Sequence, residues 1–152
     1  MNIHIENRQK AVKLDLRRIR RVVHKLKKIL NCPDQEISLL FVDNEQIRQI
    51  NRQYLNRDHP TNVISFPLRE GDYGHINPQI LGDIVISAER AFQDAAADDL
   101  SLNDEIDFLV IHGLLHLLGF NHEGGNKKES LQMRDKENEV FFMLNGYELE
   151  RC

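Results

Sequence analysis

The chain has 152 residues, of which 41% are hydrophobic and 29% charged, and a formal net charge of −4. These values are ordinary for a soluble globular protein, and the length fits one domain with its own hydrophobic core. The longest apolar stretch without a charged residue, 108–120, is too short to span a bilayer, and no secretory signal is predicted. Cys32 and Cys152 make no disulfide framework, which favours a cytoplasmic location.

Charge is unevenly distributed along the chain. Residues 1–30 contain ten Lys and Arg against two acidic residues, a net charge of +8, so the remaining residues carry ten bases against twenty-two acids, a net charge of −12. A basic segment on an acidic body favours contact with a polyanion, although a solvated helix face explains the charge equally well. The side chains expected to reach RNA phosphates are Arg17, Arg18, Arg21, Lys25 and Lys28.

The first half of the chain alternates between strand and helix patterns. The predicted elements are a strand over 1–7, an amphipathic helix over 12–30, a mostly buried strand over 37–42 and a helix from 44 onward. Asp43 and Gln46 are spaced as a capping box, which predicts the start of that second helix. A polar loop over 56–61 follows it.

The second half continues with shorter strands and longer helices. Strands are predicted over 63–66 and 81–86, an irregular connection over 68–79, and helices over 87–97, from 101 to about 118, and over 128–145. Ser87 and Ser101 are the expected N-caps. The pattern predicts one α+β domain over 1–152, with a small mixed β-sheet packed by helices and one buried helix.

Three of the seven histidines lie in the stretch 111–122 of that buried helix and its end. His112 and His116 are four residues apart, so both imidazoles lie on one helix face. Gly119 is a natural helix stop, after which His122 can return as a third ligand. Three imidazoles without a fourth protein ligand are typical of a catalytic zinc site. The alternative is that these are packed structural histidines.

The spacing His-x-x-x-His-x-x-Gly-x-x-His is the metal-binding skeleton of the metzincin peptidases with one substitution. Those enzymes carry Glu directly after the first histidine as the general base, whereas this chain has Gly113. The missing base argues against peptide hydrolysis by that route, and a peptidase using another base is the alternative. We expect one zinc ion per chain, although imidazole sites also accept nickel and copper.

Four motifs follow one another along the chain. They are Asn51-x-x-Tyr54, Asp58-x-Pro60-Thr61-Asn62-Val63-Ile64-Ser65-Phe66, Leu81-Gly82-Asp83-Ile84 and His112-Gly113-x-Leu115-His116-Leu117-x-Gly119-x-x-His122. Together they resemble the YbeY family of bacterial rRNA-maturation endoribonucleases. The resemblance implies a zinc-dependent cytoplasmic enzyme with the three histidines as ligands. It also implies cleavage of single-stranded RNA in 16S rRNA 3′-end maturation and ribosome quality control, with rRNA of the ribosome or its precursors as partner.

The resemblance has one departure. The family pattern places Arg directly after the tyrosine, where this chain has Leu55, and Lys two residues later, where it has Arg57. Arg57 is the nearest side chain able to bind a phosphate at two points, so it is the candidate catalytic residue beside a metal-bound water. The alternative is that Arg57 is an ordinary solvated arginine of the loop without a catalytic role. Asp83 and Glu123 are candidate proton acceptors or partners of the ligands.

The sequence leaves open both the attacking group and the oligomeric state. Either water or the 2′-hydroxyl of the RNA can be the attacking group, and the oligomeric state is not predicted. The competing class of function is a non-catalytic RNA-binding ribosome-assembly factor whose metal ion holds the fold.

Overall fold

The computed structural model describes residues 2–67, 80–120 and 127–149, which form four strands and five helices. In chain order they are β1 Ile3–Asn7, α1 Leu16–Ile29, β2 Glu36–Val42, α2 Asn44–Leu55, β3 Val63–Pro67, β4 Ile80–Ser87, α3 Ala88–Ala97, α4 Leu102–Leu117 and α5 Lys127–Asn145. The predicted α+β fold is confirmed. The connection predicted over 68–79 lies outside the described residues.

The four strands form one mixed sheet in the order β1-β2-β4-β3. β1 and β2 are parallel, as are β2 and β4, while β3 runs antiparallel to β4. β1 and β3 are therefore the two edges of the sheet. The small mixed sheet predicted from the sequence is confirmed.

Alternating side chains of the strands face two hydrophobic clusters. Ile37, Leu39 and Phe41 of β2 join the larger cluster, which also contains the inner faces of α1, α4 and α5. Val42 and Val85 face a smaller cluster on the α2 side of the sheet. Because successive strand residues point to opposite faces, one strand can serve both clusters. α4 lies within the larger cluster, as predicted for the buried helix.

The helix ends follow the predicted local signals. Asp43 and Gln46 form the capping box of α2, and Ser87 and Ser101 cap α3 and α4 through their side chains. Gly119 follows α4 with φ at +101°, a left-handed conformation that glycine adopts without steric cost. Within the described part of the chain, no helix combines the length and apolar character needed to cross a bilayer.

α1 begins four residues later than predicted. The side chain of Gln9 accepts from the backbone N–H of Val12 at 2.9 Å and donates to its carbonyl at 2.8 Å. These bonds hold residues 9–12 in a turn before the helix. Asp15 then acts as N-cap and accepts from the backbone N–H of Arg18 at 3.1 Å. A polar side chain that satisfies the backbone locally competes with helix formation, and periodicity does not detect it.

Candidate functional site

α4 directs His112 and His116 to one cavity of about 320 Å³. Their ring centroids are 4.8 Å apart and the rings are inclined at 71°, as expected for residues one helical turn apart. The chain turns directly after them, because the N–H of Gly119 donates to the carbonyl of His116 at 3.0 Å. The predicted third ligand, His122, lies outside the described residues and stays a prediction.

A close contact between helix and sheet sets the position of the histidines. A Cβ atom at Gly113 would lie 2.8 Å from Cγ2 of Ile84 on β4, closer than packed carbon atoms approach. The hydroxyl of Ser65 on β3 donates to the carbonyl of Gly113 at 3.2 Å. The position at which metzincins carry their glutamate therefore faces the sheet and has no room for a side chain.

The loop after α2 forms another wall of the cavity. Arg57 and His59 of this loop, with Leu55 at the end of α2, line it together with the histidines of α4. Asn51 holds this loop in place, because its side-chain amide donates to the carbonyl of His59 at 2.9 Å. The carbonyl of Asn51 also accepts from the backbone N–H of Arg57 at 3.2 Å. The structure thus brings Arg57 to the same cavity as His112 and His116.

Glu137 of α5 contacts one of the two histidines of the cavity. Its Oε2 lies 2.8 Å from Nδ1 of His112, and the residue is only 4% exposed. Sequence reasoning assigned no role to this residue. The sequence does contain a sign of such a role. Glu137 interrupts the apolar stripe formed by Met133, Val140 and Leu144, and a carboxylate buried in such a stripe needs a hydrogen-bonding or charged partner.

The donor chemistry of the cavity fits zinc. Imidazole nitrogen is a preferred zinc ligand, and a carboxylate against the second ring nitrogen is the usual support for such a ligand. Within residues 2–67, 80–120 and 127–149, no three His, Cys, Asp or Glu side chains lie close enough together to hold one ion. A complete site therefore needs a donor from elsewhere, which is the predicted role of His122.

The basic helix differs from expectation at one residue. Arg18 donates to Oδ2 of the fully buried Asp107 at 2.6 Å, and only 20% of its side chain is exposed. Arg18 is thus paired with a buried carboxylate, and its contact with RNA stays a prediction. The other four residues of the expected set are exposed: Arg17, Arg21, Lys25 and Lys28.

The exposed basic residues lie on a helix that does not line the cavity. α1 packs against α5, β1 and α4, whereas Val63, Ile64 and Ser65 of β3 line the cavity. Among the described lining residues of the cavity, none comes from α1.

Asp83, one of the two acidic candidates, does not line the cavity of the histidines. Asp83 is exposed on β4 and lines a different cavity, of about 680 Å³, together with Tyr54 and Phe66. It faces the α2 side of the sheet, because it alternates with Ile84 along the strand. Glu123 lies outside the described residues.

Comparison with known proteins agrees with the resemblance seen in the sequence. The family described as Endoribonuclease YbeY matches residues 4–145. An Endoribonuclease YbeY of Syntrophus aciditrophicus is 55% identical over 99% of this chain and 94% of that protein. One of Geobacter sulfurreducens is 41% identical over 96% of this chain and 97% of that protein.

A solved structure shares the fold. The solution structure of a Thermotoga maritima protein superimposes with a TM-score of 0.67 at 28% identity, covering 95% of this chain and 89% of the other. The family match spans both the histidine helix and the loop that carries Arg57. The chain therefore belongs to the YbeY endoribonuclease family.

Proposed function

We propose that this chain is a metal-dependent endoribonuclease that cleaves single-stranded RNA. The observation that carries the proposal is the cavity shared by His112, His116 and Arg57, which combines metal-binding imidazoles with a group suited to phosphate. The names of its relatives support an endoribonuclease. We extend the proposal to 16S rRNA 3′-end maturation and ribosome quality control in the cytoplasm.

The metal site of the proposal consists of His112, His116 and His122 with one zinc ion. Zinc held by three imidazoles supplies a water molecule of lowered pKa and a Lewis acid for a phosphoryl oxygen. The protein's own residues supply the remainder. Arg57 has N–H groups in one plane that suit two phosphoryl oxygens at once, so it binds the scissile phosphate and offsets developing charge.

The basic residues of α1 have a different role in the proposal. Arg17, Arg21, Lys25 and Lys28 are exposed on α1, which contributes no residue to the described lining of the cavity. They would attract the RNA and contact phosphates away from the scissile bond. Such contacts increase affinity and salt dependence without selecting a sequence.

The close contact of Gly113 with Ile84 leaves no room on the helix for the metzincin general base, so the alternative peptidase would need a base from another position. The alternative of a non-catalytic assembly factor makes a different prediction, since it binds RNA but does not cleave it.

The deciding experiment compares three labelled substrates: a single-stranded RNA, a duplex RNA and casein. Each is incubated with the protein as purified, after chelation, and after zinc is restored. We expect cleavage of single-stranded RNA alone, lost with chelator and regained with zinc. Cleavage of casein would favour the peptidase, and RNA binding without cleavage would favour the assembly factor.

Metal content tests the ligand set separately. We expect one zinc per chain by elemental analysis, and its loss together with activity in His112→Ala and His116→Ala. His4→Ala is the matched control, because His4 is exposed on β1 and pairs with Glu36 rather than lining the cavity. A full equivalent of zinc in His116→Ala would contradict the assignment.

A further inference from the structure

We infer that Glu137 is a positioning residue of the metal site, which holds His112 in the tautomer that binds the ion through Nε2. The inference rests on the proposed function, because a role for Glu137 in positioning His112 requires that His112 binds a metal ion. The observation that carries it is the 2.8 Å contact between Oε2 of Glu137 and Nδ1 of His112. The two residues lie on α5 and α4, 25 positions apart in sequence.

Glu137 is buried among apolar side chains, so its carboxylate needs a polar partner. Only 5% of its side chain is exposed, and it lies in line with Met133 and Val140, both fully buried. Removing a carboxylate from water is strongly unfavourable unless it is hydrogen-bonded or paired. Packing alone would be served equally well there by a leucine. The carboxylate therefore has a polar task, and His112 is the partner that it contacts.

The chemistry of the two groups determines the direction of the hydrogen bond. An ionised carboxylate has no hydrogen and can only accept, so Nδ1 of His112 donates. A neutral imidazole carries one N–H and one lone pair, so the lone pair then lies on Nε2. The contact also restricts rotation of the ring and makes the ligating nitrogen more basic.

Loss of the contact between Glu137 and His112 is expected to weaken zinc binding. Loss of a group that orients a metal-binding histidine typically weakens metal binding by about 10- to 100-fold. Glu137→Ala is therefore expected to weaken zinc binding by about that factor. Glu137→Gln nearly preserves side-chain volume and presents an amide oxygen that can accept from Nδ1, so its loss of affinity should be smaller. Zinc affinity is measured by competition with a chromophoric chelator.

Glu139 provides the matched control. It lies two residues further along α5, its side chain is 60% exposed, and it lies 3.8 Å from Lys136. Glu139→Ala removes the same charge from the same helix without altering the contact with His112, so its zinc affinity should equal that of the unmodified protein. Thermal unfolding of each metal-free variant shows whether Glu137→Ala folds. If it does not, Glu137→Gln alone carries the affinity comparison.

A second measurement requires no metal ion. Nitrogen-15 NMR of the histidine-labelled, metal-free protein distinguishes an imidazole protonated at Nδ1 from one protonated at Nε2. We expect His112 to be protonated at Nδ1 in the unmodified protein and to lose this preference in Glu137→Ala. A purely structural glutamate would affect thermal unfolding but leave the tautomer and zinc affinity unchanged.

The outcomes separate this inference from the proposed function. An unmodified protein that binds no zinc would overturn the metal site, and the inference with it. A protein that binds zinc, but whose folded Glu137 variants bind it as tightly, would overturn the inference alone. Protonation of His112 at Nε2 in the unmodified metal-free protein would overturn it as well.

Discussion

Gly113 of the histidine helix and Ile84 of the central strand β4 are so close together that a Cβ atom at position 113 would lie 2.8 Å from Cγ2 of Ile84. Ile84 is fully buried and cannot move aside without disturbing the larger hydrophobic cluster. This packing sets how close α4 lies to the sheet. It therefore also determines where His112 and His116 stand relative to the loop after α2.

Gly113→Ala is predicted to destabilise the protein. Alanine favours a helix over glycine by up to about 1 kcal/mol, whereas overpacking a core costs about 1–3 kcal/mol, so the net change is a loss of stability. Urea unfolding measures it, and a double-mutant cycle with Ile84→Ala identifies the cause, since that variant removes the atoms nearest to position 113. An unchanged cost of Gly113→Ala in the Ile84→Ala background would show that another neighbour is responsible.

Arg57→Ala is predicted to retain its zinc and to lose roughly a hundredfold in turnover, the scale for removal of one charge-stabilising donor. Arg57→Lys should regain only part of the rate, because an ammonium group lacks the planar two-point contact with phosphate. Cleavage of a single-stranded RNA by zinc-loaded protein measures both. The control is Arg52→Ala, an exposed arginine of α2 outside the cavity lining. A near-normal rate in Arg57→Ala would remove this residue from the mechanism.

Asn51→Ala is predicted to loosen the loop that carries Arg57 and His59. Asn51 is buried, and its amide donates to the carbonyl of His59, so its removal should lower the free energy of unfolding by about 1–3 kcal/mol. Amide hydrogen exchange over 57–61 should increase, and RNA cleavage should fall while zinc stays bound. Gln53→Ala, on an exposed position of the same helix, is the control. Unchanged exchange would mean that other interactions hold the loop.

Arg21→Glu with Lys25→Glu is predicted to weaken RNA binding and to flatten its dependence on salt. The slope of log K against log salt should fall by about 0.7 for each phosphate of a single strand that the protein no longer neutralises. Lys128→Glu with Arg134→Glu changes net charge equally from exposed positions of α5, so it separates local binding from overall charge. Equal slopes for the two double variants would indicate that α1 is an ordinary solvated face.

Asp107→Asn is predicted to change how stability depends on pH. Burial raises the pKa of Asp107, and its bonds with Arg18 only partly oppose this. A carboxyl whose pKa is higher in the folded state stabilises the fold below its unfolded pKa, about 3.9, and loses that contribution as pH rises through the folded value. The variant should therefore gain stability relative to the unmodified protein as pH rises through this window. Urea unfolding across the window measures the difference, and a constant difference would contradict the assignment to Asp107.

Much of the fold could be predicted from sequence because the signals are local. The capping box and caps at Asp43, Ser87 and Ser101 depend on groups within four residues, and so does the end of α4 at Gly119. The spacing of His112 and His116 places them on one helix face without reference to the remaining chain. The mostly buried strand predicted over 37–42 likewise corresponds to β2.

The tertiary structure alone decided which groups meet. Arg18 and Asp107 are 89 positions apart, and neither residue indicates that the arginine would pair with a buried carboxylate. The partner of Glu137 was equally hidden, because a carboxylate in an apolar stripe shows that a partner is needed but not which residue provides it. Sequence patterns report interactions within a few residues, whereas the partners of a buried charge depend on how helices and strands pack over the sheet.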